Sequence, residues 1–431
     1  MKKLSYSLLS VMLLLLVAVS CSKSSNDDAV YLLRTVPADA SSVAVINVEN
    51  ALEKIGGKTD GSTIQLSKEH TKAIEESHAL RDEDKQRIKD FCGGDTGMAF
   101  NSFVVFSAAR SYITGLLNDP DKFLEYEKKQ NPEYSVVEED GARLLGPIAV
   151  IGNQFWICTG RPDVDQLKYY QKLNERQSYA SSDAASLLSD TDKALTFVAD
   201  VNKLISIMPD ATYARLGSSL IFKDMAYAAG YVDINKQNVE ASVSVLDSDM
   251  KPAELLLPSD KVDASVVKSL GDSGNLYAAL AVSPKLTKKI TDMAGSFMGG
   301  NSSGISSMLG AVDGTIALRT DASMSDVEAK IQTNGNDFAG LSTMLQNTFG
   351  MSVTRDGSLL TAVRGGSDFK GNLTSSKVAD KMKGAWIALV DDGVIVRNVV
   401  TVARLVPEKK SLRLDVEIEG GLDILMKEFL K

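Results

Sequence analysis

The chain has few of the residues that most often carry out chemistry in proteins. Its 431 residues include only two histidines, three cysteines and two tryptophans. This scarcity leaves little material for the commonest metal sites and for nucleophile and base pairs, so we expect neither a metal nor another cofactor. An excess of positive charge is also missing, because 47 Lys and Arg residues stand against 56 Asp and Glu residues, a net charge of −9. The electrostatic footprint of a nucleic-acid-binding protein is therefore absent, and we expect no nucleic-acid partner.

The overall composition is that of an ordinary globular protein. Apolar residues make up 44% of the chain and charged residues 24%, which is typical of a folded chain and not of a disordered tail. A length of 431 residues exceeds that of a single small domain and predicts two or three folded units.

The first 20 residues have the layout of a secretory signal peptide. Two lysines precede an apolar run from Leu8 to Val17, which is too short to be trusted as a membrane-spanning helix. The run leads into Ala-Val-Ser-Cys at residues 18–21, and this sequence resembles the bacterial lipobox. The resemblance implies cleavage before Cys21 after its sulfur has been diacylated, which makes Cys21 the lipid attachment site and outer-membrane lipid a partner. The alternative is an ordinary signal peptide with Cys21 as an incidental thiol.

The residues after Cys21 indicate where the protein is sorted. In proteobacteria an Asp after the lipidated cysteine retains a lipoprotein in the inner membrane, so Ser22 by resemblance indicates the outer membrane. Residues 21–29 are mostly small and polar and are predicted to be the lipidated cysteine and a polar tether. The Asp27-Asp28 pair is similar to the acidic export signals of Bacteroidetes lipoproteins. We therefore predict a lipid-anchored outer-membrane protein that faces either the periplasm or the cell surface.

Two further cysteines, Cys92 and Cys158, are predicted to lie in a compartment that permits disulfides. In the chain-entropy model, a bridge closing a loop of this length stabilises the fold by about 4 kcal/mol. Against a bridge, Cys158 ends the apolar run Phe155–Cys158, where a free cysteine behaves as a small buried hydrophobe. A possible disulfide between Cys92 and Cys158 therefore stays open beside two free thiols.

The body of the chain predicts an α+β fold with antiparallel sheets and helices packed on one face. Residues 239–245 and 412–418 alternate apolar and polar side chains, which is typical of half-buried antiparallel strands. Asp-Gly at residues 356–357 and 392–393 lies between apolar runs and predicts hairpins. Similar strand-to-helix junctions recur near residues 47, 200 and 283, which indicates two related units. We predict a signal peptide at 1–20, a tether at 21–29, and α+β units at 30–188 and 189–431.

Several of these segments resemble a known family in pattern and order. They are Val36–Ala40 before the first strand, the strand Phe103–Ser107, the helix Asp121–Lys129 and the strand Tyr134–Gly141. Together they are similar to an uncharacterised family of Bacteroidetes lipoproteins with a domain of unknown function. The resemblance implies the same architecture, and it supplies neither an activity nor catalytic residues.

Short catalytic motifs occur in the chain without the context that they need. Gly300–Gly304 matches the nucleophile elbow of hydrolases around Ser302, yet both histidines precede it. Ser265 and Lys268 have the spacing of penicillin-recognising enzymes, but no later Lys-Thr-Gly strand follows. His70 and His78 are predicted to share one helix face two turns apart, about 12 Å, which is too far for one zinc ion.

These observations favour a non-enzymatic, lipid-anchored cell-envelope protein that works in binding or assembly, with an envelope protein or a glycan as the partner. One alternative is a surface lipoprotein that captures glycans, although Trp156 and Trp386 both lie in apolar strands where burial is expected. The other alternative is an envelope hydrolase that uses carboxylates alone, which needs only a suitable geometry of paired acids.

Overall fold

The computed structural model describes residues 26–78, 80–189, 192–206, 219, 221–234, 238–271, 273–289, 310–335, 338–365, 369, 371, 373–394, 399–409 and 411–420. These residues form two compact units. Unit 1 holds the described residues up to 206, those within 226–241, and Gly420, whereas unit 2 holds 219–225 and 242–419. Each unit contains antiparallel strands and helices, which confirms the α+β class. In the part of the chain that the structure describes, no helix has the length and apolar character needed to cross a membrane.

Unit 1 contains one large antiparallel sheet and a separate pair of short strands. Its strands are β1 (Ser42–Asn47), β2 (Lys58–Thr59), β3 (Ile64–Gln65), β4 (Met98–Ser107), β5 (Ser111–Leu117), β6 (Val137–Glu139), β7 (Ala142–Leu145), β8 (Ile148–Ile151), β9 (Gln154–Cys158), β10 (Leu195–Asp200) and β12 (Tyr227–Ile234). Its helices are α1 (Asn26–Arg34), α2 (Val48–Lys54), α3 (Lys68–Glu76), α4 (Asp82–Cys92), α5 (Pro120–Gln130), α6 (Val164–Gln171), α7 (Ala185–Leu188) and α8 (Val201–Ser206). The strand order is β12-β10-β1-β4-β5-β9-β8-β7-β6, whereas β2 and β3 pair only with each other.

Helices lie on both faces of this sheet, one face more than predicted. We call the side that carries Phe103 and Phe155 the phenylalanine face; α2, α3, α4 and α5 pack their apolar residues against it. The other side carries Trp156 and is called the tryptophan face. There Gln154 hydrogen-bonds both Thr35, directly after α1, and a glutamine at the end of α6. The two faces follow from the alternation of side chains along each strand.

Two helices of unit 1, α5 and α6, begin directly after an aspartate that caps the helix. Asp119 accepts hydrogen bonds from the backbone N–H groups of Asp121 and Lys122, and Pro120 occupies the first helical position of α5. Asp163 caps α6 through the N–H of Gln166. An acidic cap followed by proline suits a helix start, because the side chain satisfies N–H groups that lack a partner in the helix.

The start of α1 differs from the predicted tether. Residues 26–29 belong to this helix, and Ala29, Leu32 and Leu33 are buried, with exposed fractions of 5%, 0% and 2%. Asp27 and Asp28 lie in its first turn, where negative charge interacts favourably with the helix dipole. Residues 26–29 therefore belong to a helix and not to the predicted tether, and the acidic pair has a structural role in its first turn.

Unit 2 contains a second antiparallel sheet. Its strands are β11 (Phe222–Lys223), β14 (Glu254–Leu255), β15 (Leu276–Val282), β16 (Val312–Thr320), β17 (Val327–Thr333), β18 (Ser352–Asp356), β19 (Leu359–Arg364), β20 (Ile387–Asp392), β21 (Val400–Glu408) and β22 (Ser411–Glu419). Strand β13 (Asn238–Leu246) has residues 238–241 in unit 1 and 242–246 in unit 2. The helices of unit 2 are α9 (Ala264–Lys268), α10 (Phe338–Phe349) and α11 (Ser375–Met382). The order is β18-β19-β17-β16-β15-β20-β21-β22, while β11 and β14 form a separate pair.

The helices of unit 2 cover its sheet unevenly. Helices α9 and α11 pack against the face that carries Tyr277 and Val390. On the opposite face, α10 packs Leu341 and Leu345 against residues of β16, β17 and β19. Leu405 of β21 packs against the cluster that α9 and α11 join, and Leu412 of β22 is buried in it, whereas Ile387 and Leu414 are exposed.

The predicted strand-to-helix junctions are present. Strand β1 leads into α2, β10 leads into α8, and β15 is followed by helical residues at 284–289. The predicted hairpin at residues 356–357 joins β18 to β19, with Gly357 at φ +58°, a left-handed conformation that glycine adopts easily. The sequence also predicts a helix at 422–430 and a Gly- and Ser-rich loop at 295–310, and residues 290–309 and 421–431 lie outside the described residues.

Candidate functional site

The predicted lipid attachment site, Cys21, lies outside the described residues, as does the elbow motif around Ser302. Both features are therefore known from the sequence alone. The described residues include both other cysteines, both histidines and the Ser265 and Lys268 pair.

Both described cysteines are free thiols on opposite faces of the unit 1 sheet. Cys92 ends α4 and packs against the cluster on the phenylalanine face. Cys158 ends β9 two residues after Trp156 and lies opposite Tyr112, so its side chain is on the tryptophan face. A disulfide needs Cβ atoms about 3.5–4.5 Å apart, and here the sheet lies between the two side chains. The possible bridge is therefore not formed in this structure.

Burial also makes these thiols weak acids. It raises the pKa of Cys92 to about 11 and that of Cys158 to about 12. The thiolate is the reactive form of cysteine, so both groups are inert near neutral pH.

The two histidines do not form the predicted pair on one helix face. His70 is buried in α3, where its Nδ1 lies 3.0 Å from the Oγ of Ser67. The helix ends at Glu76, so His78 lies beyond it and is exposed. The serine cap that starts α3 explains the contact of His70, and His78 lies outside the helix that holds His70. Among the described residues, no group of three or more metal-binding side chains is assembled.

The Ser265 and Lys268 pair has an ordinary structural explanation. Asp263 caps α9 and accepts hydrogen bonds from the backbone N–H and the hydroxyl of Ser265. The ammonium group of Lys268 lies 4.0 Å from Asp380 on the surface. The hydroxyl of Ser265 thus belongs to the cap of α9, and Lys268 belongs to a surface ion pair.

One polar cavity of about 330 Å³ lies on unit 1, where the turn between β6 and β7 meets the start of α6. Arg161 donates to Glu139 at 2.8 Å, and Arg110 donates to the backbone oxygen of Arg161 at 2.5 Å. Asp140, Asp163 and Asp165 complete the charged lining. Since its arginines already pair with groups of the protein, the cavity is best described as a surface ion-pair network, and such pairs typically contribute at most about 1 kcal/mol each.

A carboxyl group with a strongly raised pKa occurs on α5. Burial raises the pKa of Glu127 to about 7, although the positive charge of Arg87 opposes the shift. The side-chain amide of Asn131 donates to Glu127 Oε2 at 3.3 Å. A raised carboxyl pKa is a common feature of catalytic acids, but carboxylate hydrolysis needs two acids across a bond. Glu127 has no such described partner within a cavity.

The most buried acids of unit 2 do not form a catalytic pair either. Asp391 and Asp392 are adjacent on β20, so their side chains point to opposite faces of the sheet. Asp392 accepts from the N–H of Leu373 at 3.1 Å, and Asp391 accepts from the N–H of Val394 at 3.1 Å. Both carboxylates therefore fix backbone loops beside the strand.

The feature of unit 2 that stands out is an apolar sheet surface. Two rows of directly paired residues cross β20, β21 and β22 on the face that α10 covers elsewhere. The rows are Ile387, Leu405 and Leu414 in one and Leu389, Ala403 and Val416 in the other. We call these six residues the β20–β22 apolar face. Ile387 and Leu414 are exposed at 36% and 37%, and the other four are half-buried.

The reverse side of the same strands carries the charges. Arg404, Asp415 and Glu417 alternate with the apolar residues along β21 and β22, and Arg413 pairs with Asp415 at 2.7 Å. A solvated sheet face is usually the polar one. Here both sides of the strands are partly exposed, and the aliphatic side is a candidate interaction surface.

The sequence predicts the alternation in β22, but it does not indicate which side of the strand is exposed to solvent. The β20–β22 apolar face depends on strand register between distant segments, and no local signal gives that register. The alternation of β22 is the signal that could have indicated an apolar side, since Leu414 and Val416 alternate with Asp415 and Glu417.

Both tryptophans are buried, as their apolar strands predict. Trp156 is 0% exposed and lies among Phe106, Tyr112 and Tyr170 on the tryptophan face. Trp386 is 6% exposed, and its ring N–H donates to the backbone oxygen of Ala281. Neither ring is available as a stacking platform for a sugar.

Comparisons with known proteins show only distant similarity. No protein-family model matches the chain, and no curated protein matches it. Among solved structures, crystal form III of TP0453 is similar at a TM-score of 0.30 and 8% identity, with 81% of this chain and 96% of that chain covered. Crystal form IV of TP0453 gives a TM-score of 0.28 and 11% identity over 50% of this chain and 79% of that chain. Similarity at this level supports no argument about function.

Proposed function

We propose that this protein is a non-enzymatic, lipid-anchored protein of the cell envelope that binds an apolar partner through the β20–β22 apolar face. The anchor is Cys21 in the lipobox-like sequence Ala-Val-Ser-Cys, and the outer membrane is the predicted location. The similarity to the uncharacterised Bacteroidetes lipoproteins remains a prediction that agrees with this assignment.

The half-exposed aliphatic side chains of β20–β22 are the observation that carries the binding role. Six apolar residues form two continuous cross-strand rows, and their charged neighbours face the other way. Apolar surface removed from water contributes about 25 cal/mol per Å², so this face favours association with another apolar surface. Aliphatic groups offer no hydrogen bonds, which suits an apolar partner better than a sugar.

The two alternatives have weaker support. A carboxylate hydrolase would be favoured by two acids with raised pKa values in one cavity, and Glu127 stands without such a partner among the described residues. A glycan-capture role would be favoured by exposed aromatic rings in a row, and both tryptophans are buried.

The binding role is tested with anilinonaphthalene sulfonate, a fluorescent probe that reports accessible apolar surface. The full mature chain carries Cys21→Ser so that it stays in solution, and it is compared with the same chain carrying Ile387→Thr and Leu414→Thr. Threonine keeps strand propensity while it removes aliphatic surface. If the two changes remove about 1.4 kcal/mol of apolar contact, probe affinity falls about tenfold.

The matched control is Phe349→Thr at the end of α10, a residue of unit 2 that is 47% exposed and lies outside the apolar face. We expect this variant to bind the probe as the parent chain does. Equal probe binding by the parent and the double variant, with far-ultraviolet circular dichroism unchanged, would contradict the proposed binding surface.

A further inference from the structure

The start of α1 fixes where the lipid anchor joins the folded body. Asn101 at the start of β4 donates from its side-chain amide to Asp28 at 2.6 Å. One turn further along, Leu32 and Leu33 are buried in unit 1. The first turn of α1 is therefore held against a particular place on the sheet and does not belong to a long tether.

The distance from this place to the anchor is short whatever path the chain takes. Four residues lie between Cys21 and Asn26. A fully extended chain spans at most about 3.6 Å per residue, so Cys21 reaches at most about 18 Å from the start of α1.

The start of α1 lies at one end of the unit 1 sheet, where β4 begins and β5 ends. The backbone N–H of Phe100 donates to the oxygen of Gly61 at 2.9 Å, and Asn118 donates to the hydroxyl of Ser62 at 3.0 Å. We call Asp27, Asn101, Asn118 and Ser62 the α1 end of unit 1. The opposite end is the turn between β4 and β5, which includes the exposed Ala109. Asn101 and Ser107, the last residue of β4 before this turn, are six positions apart along the strand, about 20 Å at 3.3 Å per residue.

We propose that the α1 end of unit 1 is the surface that faces the lipid headgroups. This inference rests on the proposed anchor at Cys21, and it adds the orientation of the body on the membrane. The short connection keeps the α1 end close to the bilayer, whereas Ala109 lies at the far end of the strands. Asp27 and Ser62 are exposed at this end of the unit, so a headgroup layer can contact it.

The test uses the acylated full chain in phosphatidylethanolamine and phosphatidylglycerol vesicles that contain a lipid with a nitroxide headgroup. Single cysteines for a fluorescent label are introduced by Ser62→Cys or Asp27→Cys at the α1 end and by Ala109→Cys at the far end. Cys92 and Cys158 are replaced by alanine in every sample. We expect a large loss of fluorescence for both labels at the α1 end and little loss at residue 109.

A variant with twelve Gly and Ser residues inserted between Ser25 and Asn26 provides the matched control. In this variant Cys21 can lie up to about 60 Å from the start of α1. Vesicle binding should therefore persist, while the difference in quenching between the two ends disappears. Equal quenching at both ends with the natural spacing would overturn the proposed orientation. Vesicle binding that does not depend on Cys21 would instead overturn the proposed anchor, so the two failures are distinguishable.

Discussion

At the scale of single residues, burial decides which ionisable groups have unusual properties. Glu127 on α5 has a pKa of about 7, compared with an ordinary value of 4.5, because its environment disfavours the charged form. Its neighbour Glu125 on the same helix is exposed. The two glutamates lie on the same helix and differ in their burial.

The raised pKa of Glu127 predicts a pH dependence of stability. Between about pH 4.5 and pH 7 the folded protein retains a proton that the unfolded chain has released, so the free energy of unfolding falls as the pH rises. Glu127→Gln cannot lose this proton, so we expect the variant to gain stability over the parent as the pH rises through this range. Urea unfolding of both proteins at a series of pH values measures the difference.

Glu125→Gln is the control for this experiment because it removes a carboxyl group from the exposed side of the same helix. Its stability relative to the parent should vary much less with pH. A Glu127→Gln difference that stays constant from about pH 4.5 to about pH 8 would show that burial does not shift this group.

The burial of Cys92 and Cys158 predicts that both thiols react slowly with alkylating reagents. Since burial raises the pKa values of Cys92 and Cys158 to about 11 and about 12, little thiolate is present at neutral pH. We expect slow alkylation in the folded protein, rapid alkylation in denaturant, and identical gel mobility with and without reductant. Mass spectrometry after alkylation measures this, and a mass two units lower with neither thiol modified would reveal a bridge that the two sheet faces should prevent.

At the scale of elements, close contacts between strands and aromatic rings define the core of unit 1. Gly115 on β5 pairs with Phe103 on one side and Phe155 on the other, and the two rings meet edge to face at 5.9 Å between centroids. A Cβ atom at Gly115 would overlap the ring of Phe103 and lie 2.7 Å from Cε1 of Phe155. The rings therefore occupy the space that a side chain would need.

This packing predicts opposite effects for two glycine substitutions. Gly115→Ala should destabilise the protein by about 1–3 kcal/mol because overpacking forces the rings to move. Gly340→Ala in α10 meets no atom within 4 Å, and it should stabilise the helix by about 0.5–1 kcal/mol. Urea unfolding midpoints compare both variants with the parent, and a neutral Gly115→Ala would contradict the tight ring packing.

The elements also show how far local sequence predicts this fold. The Asp-Gly hairpin of β18 and β19, the acidic cap of α5 and the alternation in β22 were predictable because each depends on residues close together in the chain. The placement of β1 between β4 and β10 was not, since it requires contacts between distant segments. Helix α1 was missed because its first residues are polar, and burial of Leu32 and Leu33 stabilises it.

At the scale of the whole molecule, the account combines a lipid anchor, a short connection and two α+β units. The sequence alone indicated the anchor at Cys21, whereas the β20–β22 apolar face required the register of three strands. The net charge of −9 offers no attraction to an anionic membrane surface. Acyl chains are then the expected means of attachment, with about 0.8 kcal/mol for each buried methylene.

The most direct test of this account is the partition of the full-length protein between membrane and soluble fractions after a wash with high salt. The wild type should remain with the outer membrane, because acyl chains are not released by screening of charges. The Cys21→Ser variant should move to the soluble fraction or remain as uncleaved precursor. Membrane attachment of a processed Cys21→Ser chain equal to that of the wild type would contradict the lipid anchor.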